Sequence, residues 1–228
     1  MDIYKSKVTF FTSELSKLNR KYKTGSLLRL ASIILFIVSL YYYFQNLAIS
    51  LLFLAVLFFA SFIVLMRIHS KLQFKRKINQ ALLSINTDEI SFLERKTIPF
   101  ENGEEFQDFQ HPYAYDLDIF GNHSLFQHLN RSATFIGKKA LATTLLQKSD
   151  NDEILSNQEA IAELNQKIDW RQDFLAYAKV TNDSESSYKT LLKWSTFNSE
   201  SLPKWIVFFS YASPFFFRSD FYKLFPYF

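Results

Sequence analysis

Two uninterrupted apolar runs lie between residues 27 and 66, and any fold of this chain has to find surroundings for them. Leu27 to Phe44 reads LLRLASIILFIVSLYYYF and Leu47 to Met66 reads LAISLLFLAVLFFASFIVLM, runs of 18 and 20 residues with Arg29 as the one charge. A helix that spans a bilayer needs about 20 apolar residues, with about 17 as the lower limit. Both runs qualify. Only Gln45 and Asn46 separate them, which predicts a tight helical hairpin with both chain ends on the same side. The competing reading is a buried core hairpin of a soluble all-α protein. Soluble helices keep a polar face, however, and these runs have none. A cleaved signal peptide fits worse, because no small-residue cleavage site follows the first run and a second run comes at once.

Charge assigns the sides. Residues 1–80 hold 12 Lys/Arg against 2 Asp/Glu, whereas residues 81–228 hold 14 against 20, so the first third alone makes the sequence pI near 9.0. Lys5, Lys7, Lys17, Arg20, Lys21 and Lys23 precede the first run, and Arg67, Lys71, Lys75, Arg76 and Lys77 follow the second. Lys and Arg stay on the cytoplasmic side during insertion. Both flanks are therefore expected in the cytoplasm, with Tyr41, Tyr42 and Tyr43 at the outer interface. The lipid bilayer is the first partner, and anionic head groups suffice to meet the cationic clusters.

Within residues 1–26, a basic segment, Tyr4, Val8, Phe11, Leu15 and Leu18 recur at steps of four and three and form one stripe. Two readings stay open: the stripe lies against the membrane as an interfacial helix, or it packs on the rest of the protein. After the hairpin, Arg67 to about Lys96 reads as a helix leaving the bilayer, with Ile78, Leu82, Ile85 and Phe92 on one side. Pro99, Gly103, Pro112 and a run of acids make residues 97–114 a loop. Tyr115 to Phe120, with alternating Asp116 and Asp118, reads as a short extended segment. Helices are expected over Asn122–Arg131 with an Asn cap, Thr134–Gln147, a segment capped by Asp152 with Ile154, Ile161, Leu164 and Ile168 on one face, and Trp170 to about Val180. A polar loop, TNDSESS, precedes one more short helix marked by Tyr188, Leu191, Leu192 and Ser195. The fold class is all-α: a transmembrane hairpin followed by a helical domain. Only 4 Gly among 228 residues speak against Gly-rich cofactor loops, and the absence of Cys excludes a disulfide scaffold, a Cys-ligated metal and a thiol nucleophile.

The stretch YDLDIFGNHSLFQHLNRSATFIGKKALATTLL resembles the opening of the core (lever) domain of MutS-family mismatch-repair proteins. There an extended segment with Leu and Phe before a Gly leads into a "SLF-x-x-LN-R-x-x-T" helix and then a "G-[KR]-x-x-L" helix. Leu117, Phe120, Gly121, Ser124, Leu125, Phe126, Leu129, Asn130, Arg131, Thr134, Gly137, Lys138 and Leu141 stand in the matching places. Downstream, NQEAIAEL at Asn157–Leu164 is similar to the family's "R-Q-[ED]-A-[IV]-x-E-L" helix, with Asn157 where Arg is usual, and WRQDFL at Trp170–Leu175 is similar to the helix that comes next. The resemblance covers residues 115–198. It implies a helical lever that relays the nucleotide state of an ATPase to DNA-gripping helices. The intact protein would be a DNA-binding ATPase of repair or recombination type, using ATP and Mg, with DNA as partner and a homodimer as in the family.

The departures are as informative. Phe92-Leu93-Glu94 spells the family's mismatch wedge but lies in the helix after the hairpin and lacks the preceding Gly, so that role is not carried over. No G-x-x-x-x-G-K-[ST] occurs: before Gly137-Lys138-Lys139, Ser132 occupies the place of the first Gly, and no Ser or Thr follows the Lys. This chain is not expected to hydrolyse ATP. Residues 199–228 form an incomplete hydrophobic segment, in which the 15 residues PKWIVFFSYASPFFF are too short to span. The expectation is a truncated or frame-shifted member of a membrane-anchored MutS-like group.

No residue earns a catalytic, cofactor-binding or metal-ligating role. His123 and His128, five apart, do not share a helix face, and His123-Ser124 lacks the elbow that exposes a nucleophile. Asp116 and Asp118, on one face of a strand, read as a solvated edge. The MutS-like stretch holds 9 basic residues against 11 acidic ones, so it carries no electrostatic footprint for DNA. The alternative function is a non-enzymatic membrane scaffold that uses the lever as a docking surface. An ordinary soluble repair protein requires both apolar runs to be core.

Overall fold

Nothing in the first 46 residues breaks a helix: there is no proline, and Gly25 is the one glycine. The computed structural model, which describes residues 1–181 and 183–196, accordingly forms a single helix α1 over Asp2–Asn46. A second, α2, runs over Ile49–Leu93. Each has 45 residues, or about 67 Å at about 1.5 Å per residue. The described residues contain no strand. The two expected apolar helices are thus each continuous with their basic neighbours. The reversal falls at Leu47 and Ala48, not at Gln45 and Asn46, which are still helical. Leu47 closes α1 in the left-handed conformation (φ 49°) and returns its N–H to Tyr43 O at 2.7 Å.

The helices pair antiparallel along their length, as Lys5–Glu94, Tyr22–His69 and Phe36–Phe59 show in turn. On α1 the positions withdrawn from solvent run from Tyr4, Val8, Phe11, Leu15 and Leu18 through Tyr22, Gly25, Arg29, Ser32, Phe36 and Ser39 to Tyr43. On α2 they run from Ala48, Leu51, Ala55, Phe58, Phe62 and Leu65 to His69, Leu72 and Arg76. Steps of four and three alternate throughout, the 3.5-residue repeat of a coiled-coil seam. Of the two readings of the N-terminal stripe, packing on the protein is the one observed: Leu18 is buried, and Phe11 packs on a core of Ile78, Leu82, Ile85 and Ala176.

Ala176 belongs to α6 (Ile168–Thr181), which lies on α2. Between these helices Asn86 and Gln172 form a reciprocal amide pair, with Gln172 Nε2 donating to Asn86 Oδ1 at 2.9 Å and Asn86 Nδ2 donating to Gln172 Oε1 at 3.2 Å. Asn86 also donates to Leu82 O at 2.7 Å. A second core gathers Ala114, Ile119, Phe120, Phe126 and Ala142 under the loop from residue 94 to residue 124, with Phe106, Leu141, Leu145 and Leu146 around it. It takes in α3 (Leu125–Leu129) and α4 (Phe135–Leu146); α5 (Asn151–Gln166) follows and has no buried residue. Gly103 makes this core possible. Its φ is 67°, and an added Cβ would sit 2.5 Å from the ring of fully buried Phe126. Gly103→Ala combines a left-handed non-Gly residue with overpacking and is expected to cost about 3 kcal/mol. Thermal unfolding in detergent measures it, and an unchanged midpoint would show that the loop is not seated on Phe126.

Three local expectations need correction. Residues Tyr113–Asp118 form successive turns, not an extended segment: Leu117 N–H donates to Tyr113 O and Ile119 N–H to Ala114 O, while Asp118 adopts φ 48°. Asp116 and Asp118 therefore share no strand face. The caps also differ. Ser124, not Asn122, caps α3 by accepting from Gln127 N–H, and Asp150, not Asp152, caps α5 by accepting from Glu153 N–H. Asp150 leaves Asp152 and Glu153 in the first turn, where the helix dipole favours them. Thr134 caps α4 by accepting from Gly137 N–H at 3.1 Å. A separate unit, Glu185–Phe228, contributes the described helix α7 (Glu185–Thr196), so the end of the TNDSESS run is helical. The expectation for residues 199–228 lies outside the described residues.

Candidate functional site: an apolar hairpin with a basic neck

The apolar half of the hairpin keeps small residues at its most buried positions and turns large apolar side chains outward, unlike a soluble coiled coil. Its seam buries Ser32, Ser39 and Ala55, with Ser32 Oγ donating to Leu28 O at 2.9 Å. Its outside carries Ile37, Phe53, Val56 and Leu57 at 58%, 71%, 59% and 63% exposure. In the most apolar 18-residue windows only 11% of α1 and 6% of α2 is buried. A core helix in a soluble protein would be mostly covered. Small residues at the most buried seam positions, with Phe36, Leu51, Phe58, Phe62 and Leu65 partly covered between them and large apolar residues outside, are what helices use when the surrounding medium is as apolar as leucine. Both helices are long and apolar enough to cross a membrane.

Where the apolar surface ends, the seam becomes polar. His69 is 7% exposed and its ring stacks on Tyr22 at 4.1 Å between centroids. The Arg76 guanidinium lies 4.7 Å from the Tyr22 centroid. His69 Nδ1 has no hydrogen-bond partner among the described residues. Burial first, and the charge of Arg29 second, hold the imidazole below its ordinary range. The sign follows from linkage: the unfolded chain takes up a proton below its ordinary value of about 6.5 while the folded seam resists. Stability contributed by neutral His69 is complete above that value, declines as pH falls, and levels off below the folded pKa. Melting in detergent from pH 7.5 downward is expected to show this loss, and His69→Gln to remove that part of the slope. An identical pH profile in the variant would remove His69 from the seam's energetics.

The residues that carry the MutS resemblance are brought together, and they are engaged in structure. Ser124 and Thr134 are caps, and Phe126 and Phe120 are core. Asn130, 3% exposed, accepts from Ser132 N–H and donates to Glu101 O. Arg131 reaches Glu89 on α2 with two nitrogens, at 2.6 and 3.3 Å, and its guanidinium lies 3.5 Å from the Phe100 centroid and 4.9 Å from that of Phe92. Lys138 pairs with Glu101. Leu117, Leu125 and Leu129 are exposed instead, at 64%, 47% and 51%. The segment is thus bolted to the hairpin through Arg131–Glu89 and Asn86–Gln172, neither of which has a signature in the sequence.

His123 and His128 line one shallow depression with Phe92, Arg95 and Lys96. His123 precedes α3 in a left-handed conformation (φ 62°), and His128 Nδ1 lies 2.8 Å from Ser124 O. Among the described residues no group of three or more His, Asp or Glu stands close enough to hold a metal ion. An apolar cleft of about 410 Å³, lined by Ile85, Leu164, Ile168, Trp170 and Phe174, has Arg131 and Glu89 at its edge, already bound to each other. With this geometry in hand, known proteins offer no further guide: no family model, no curated protein and no solved structure matches the chain.

Proposed function

We propose that the chain is a membrane-anchored helical stalk carrying a MutS-like lever segment at the cytoplasmic face. The observation that supports the anchor is the apolar outside of the hairpin, with Ile37, Phe53, Val56 and Leu57 exposed while Ser32, Ser39 and Ala55 are buried. An alkaline wash of membranes tests it: the chain is expected to stay in the pellet, and release into the supernatant would overturn the anchor. The charge asymmetry supports cytoplasmic flanks, because all the flanking cations lie at the end of the rod opposite Leu47. The resemblance of residues 115–198 supports a place in a DNA-binding ATPase of repair or recombination type, ATP- and Mg-dependent and dimeric.

One observation favours the scaffold reading. The MutS-like stretch presents Tyr115, Leu117, Ile161 and Phe174 to solvent at 61–66% exposure, while its motif residues are consumed in caps and ion pairs. DNA binding by the chain in nanodiscs separates the two. Binding to duplex or branched DNA that falls steeply between low and physiological salt supports the MutS-like reading. No binding at low salt leaves the scaffold.

A further inference from the structure

Two basic residues on the wall of one depression sit where the backbone favours glycine. α2 closes in a Schellman turn, with Lys96 N–H donating to Ser91 O and Arg95 N–H to Phe92 O, both at 3.0 Å. That turn needs the left-handed region at Arg95, whose φ is 56°. Glycine is the usual residue there, because it has no Cβ to crowd the carbonyl. His123, just before the Ser124 cap of α3, has φ 62° and donates its N–H to Gln127 Oε1 at 2.7 Å. Both side chains are exposed. Strain kept at a surface position points to a use for the side chain.

Arg95, Lys96, His123 and His128 line this depression of about 670 Å³ together with Phe92 and Ile98. The Glu94 carboxylate is taken up by Lys96 at 2.6 Å and Lys5 at 3.4 Å, which leaves Arg95 and the two imidazoles as the groups on offer. His128 Nδ1 lies 2.8 Å from Ser124 O. A carbonyl only accepts, so Nδ1 carries hydrogen and Nε2 of the neutral ring is an acceptor. An anion that still holds a proton suits that lone pair. A phosphate monoester does so near neutrality, its second pKa being about 6, and one hydrogen can then bridge ester and Nε2. The Arg95 guanidinium has the forked donors that phosphate oxygens take in pairs. Phe92 and Ile98 give an apolar wall for the organic part.

We propose that this depression binds a small organic phosphate monoester, with Arg95, His123 and His128 on the phosphate and Phe92 and Ile98 against the organic part. The site needs neither the membrane anchor nor the MutS resemblance. If the hairpin spans a bilayer, lipid head groups are out of reach, because α2 runs about 40 Å from Met66 to Leu93 at about 1.5 Å per residue.

The test titrates phenyl phosphate onto the full chain in a maltoside detergent and follows broadening of the ligand's ring protons by NMR. Saturable binding is expected, with inorganic phosphate competing and phenol not binding in the same range. Arg95→Gly should weaken binding about tenfold or more, the loss of a charge-assisted pair, while thermal unfolding moves to the same or a higher temperature because glycine suits the left-handed turn. His123→Asn keeps a residue that tolerates its φ and should weaken binding about threefold to tenfold. Equal binding of phenol, no competition by inorganic phosphate, or unchanged affinity in both variants would overturn the proposal. So would a DNA oligonucleotide that binds more tightly per phosphate than phenyl phosphate and loses its binding in the same variants, since the surface would then serve a polyanion. The comparison with phenol needs no variant, so a misfolded variant does not remove the test.

Discussion

Arginine at both Ile37 and Leu57 is expected to abolish stable membrane retention. The two residues lie midway along the apolar parts of α1 and α2 and point outward, at 58% and 63% exposure. A charge at the centre of a spanning helix costs about 3 kcal/mol per site on insertion scales. Two such charges, one on each helix, leave no uncharged span, and no described carboxylate is near to pair with either. Alkaline extraction of the double variant should find it in the supernatant or in lipid-free aggregate, with the parent in the pellet. Thr12→Arg, an exposed change on the aqueous arm of α1, should change nothing. Retention of the double variant at the parental level would mean that the apolar faces contact something other than lipid.

The second large effect concerns the joint between the hairpin and the MutS-like segment. Asn86 is 0% exposed and Gln172 6%, and each amide satisfies the other. Asn86→Leu leaves the Gln172 amide buried without its partner, and Gln172→Leu does the same to Asn86. Each is expected to cost about 2–3 kcal/mol, since an orphaned buried polar group loses its full desolvation penalty. Changing both to leucine removes the penalty as well as the bond, so the double variant should recover most of the loss. The coupling from the double-mutant cycle is then about 2 kcal/mol. Thermal or denaturant unfolding in detergent gives the three values. Additive losses would show that the two amides do not act as a pair in solution. The cycle also bears on the proposed function, in which α2 reaches the bilayer and α6 lies within the segment that resembles a lever.

How much of this is legible in the sequence depends on the range of the interaction. The apolar runs are legible because composition alone identifies them. The continuity of each 45-residue helix is less so, since a sharp change from basic to apolar side chains suggests a boundary where the backbone has none. The clue is present nonetheless: the four-three stepping of Tyr4, Val8, Phe11, Leu15 and Leu18 continues without a phase change through Arg29, Ser32, Phe36 and Ser39 to Tyr43. Alternation of Asp116 and Asp118 suggests period two, but a six-residue window does not distinguish a strand from a chain of turns, and Asp118 tolerates the left-handed region that the turns require. Asp150 and Asp152 are equally good caps by residue type, and only the packing of the preceding residues decides between them. Arg131–Glu89 and Asn86–Gln172 join residues 42 and 86 apart in sequence. Polar residues on an otherwise apolar face mark such sites without naming the partner.

The absence of cysteine makes the topology of the hairpin directly measurable. Asn46→Cys places a single thiol at the outer turn and Lys77→Cys places one on the basic arm. A membrane-impermeant maleimide applied to intact cells should label the first and not the second, with both labelled after lysis. Labelling of Lys77→Cys in intact cells would invert the orientation. Equal protection of both, with the protein in the soluble fraction, would contradict the spanning hairpin on which the rest is built.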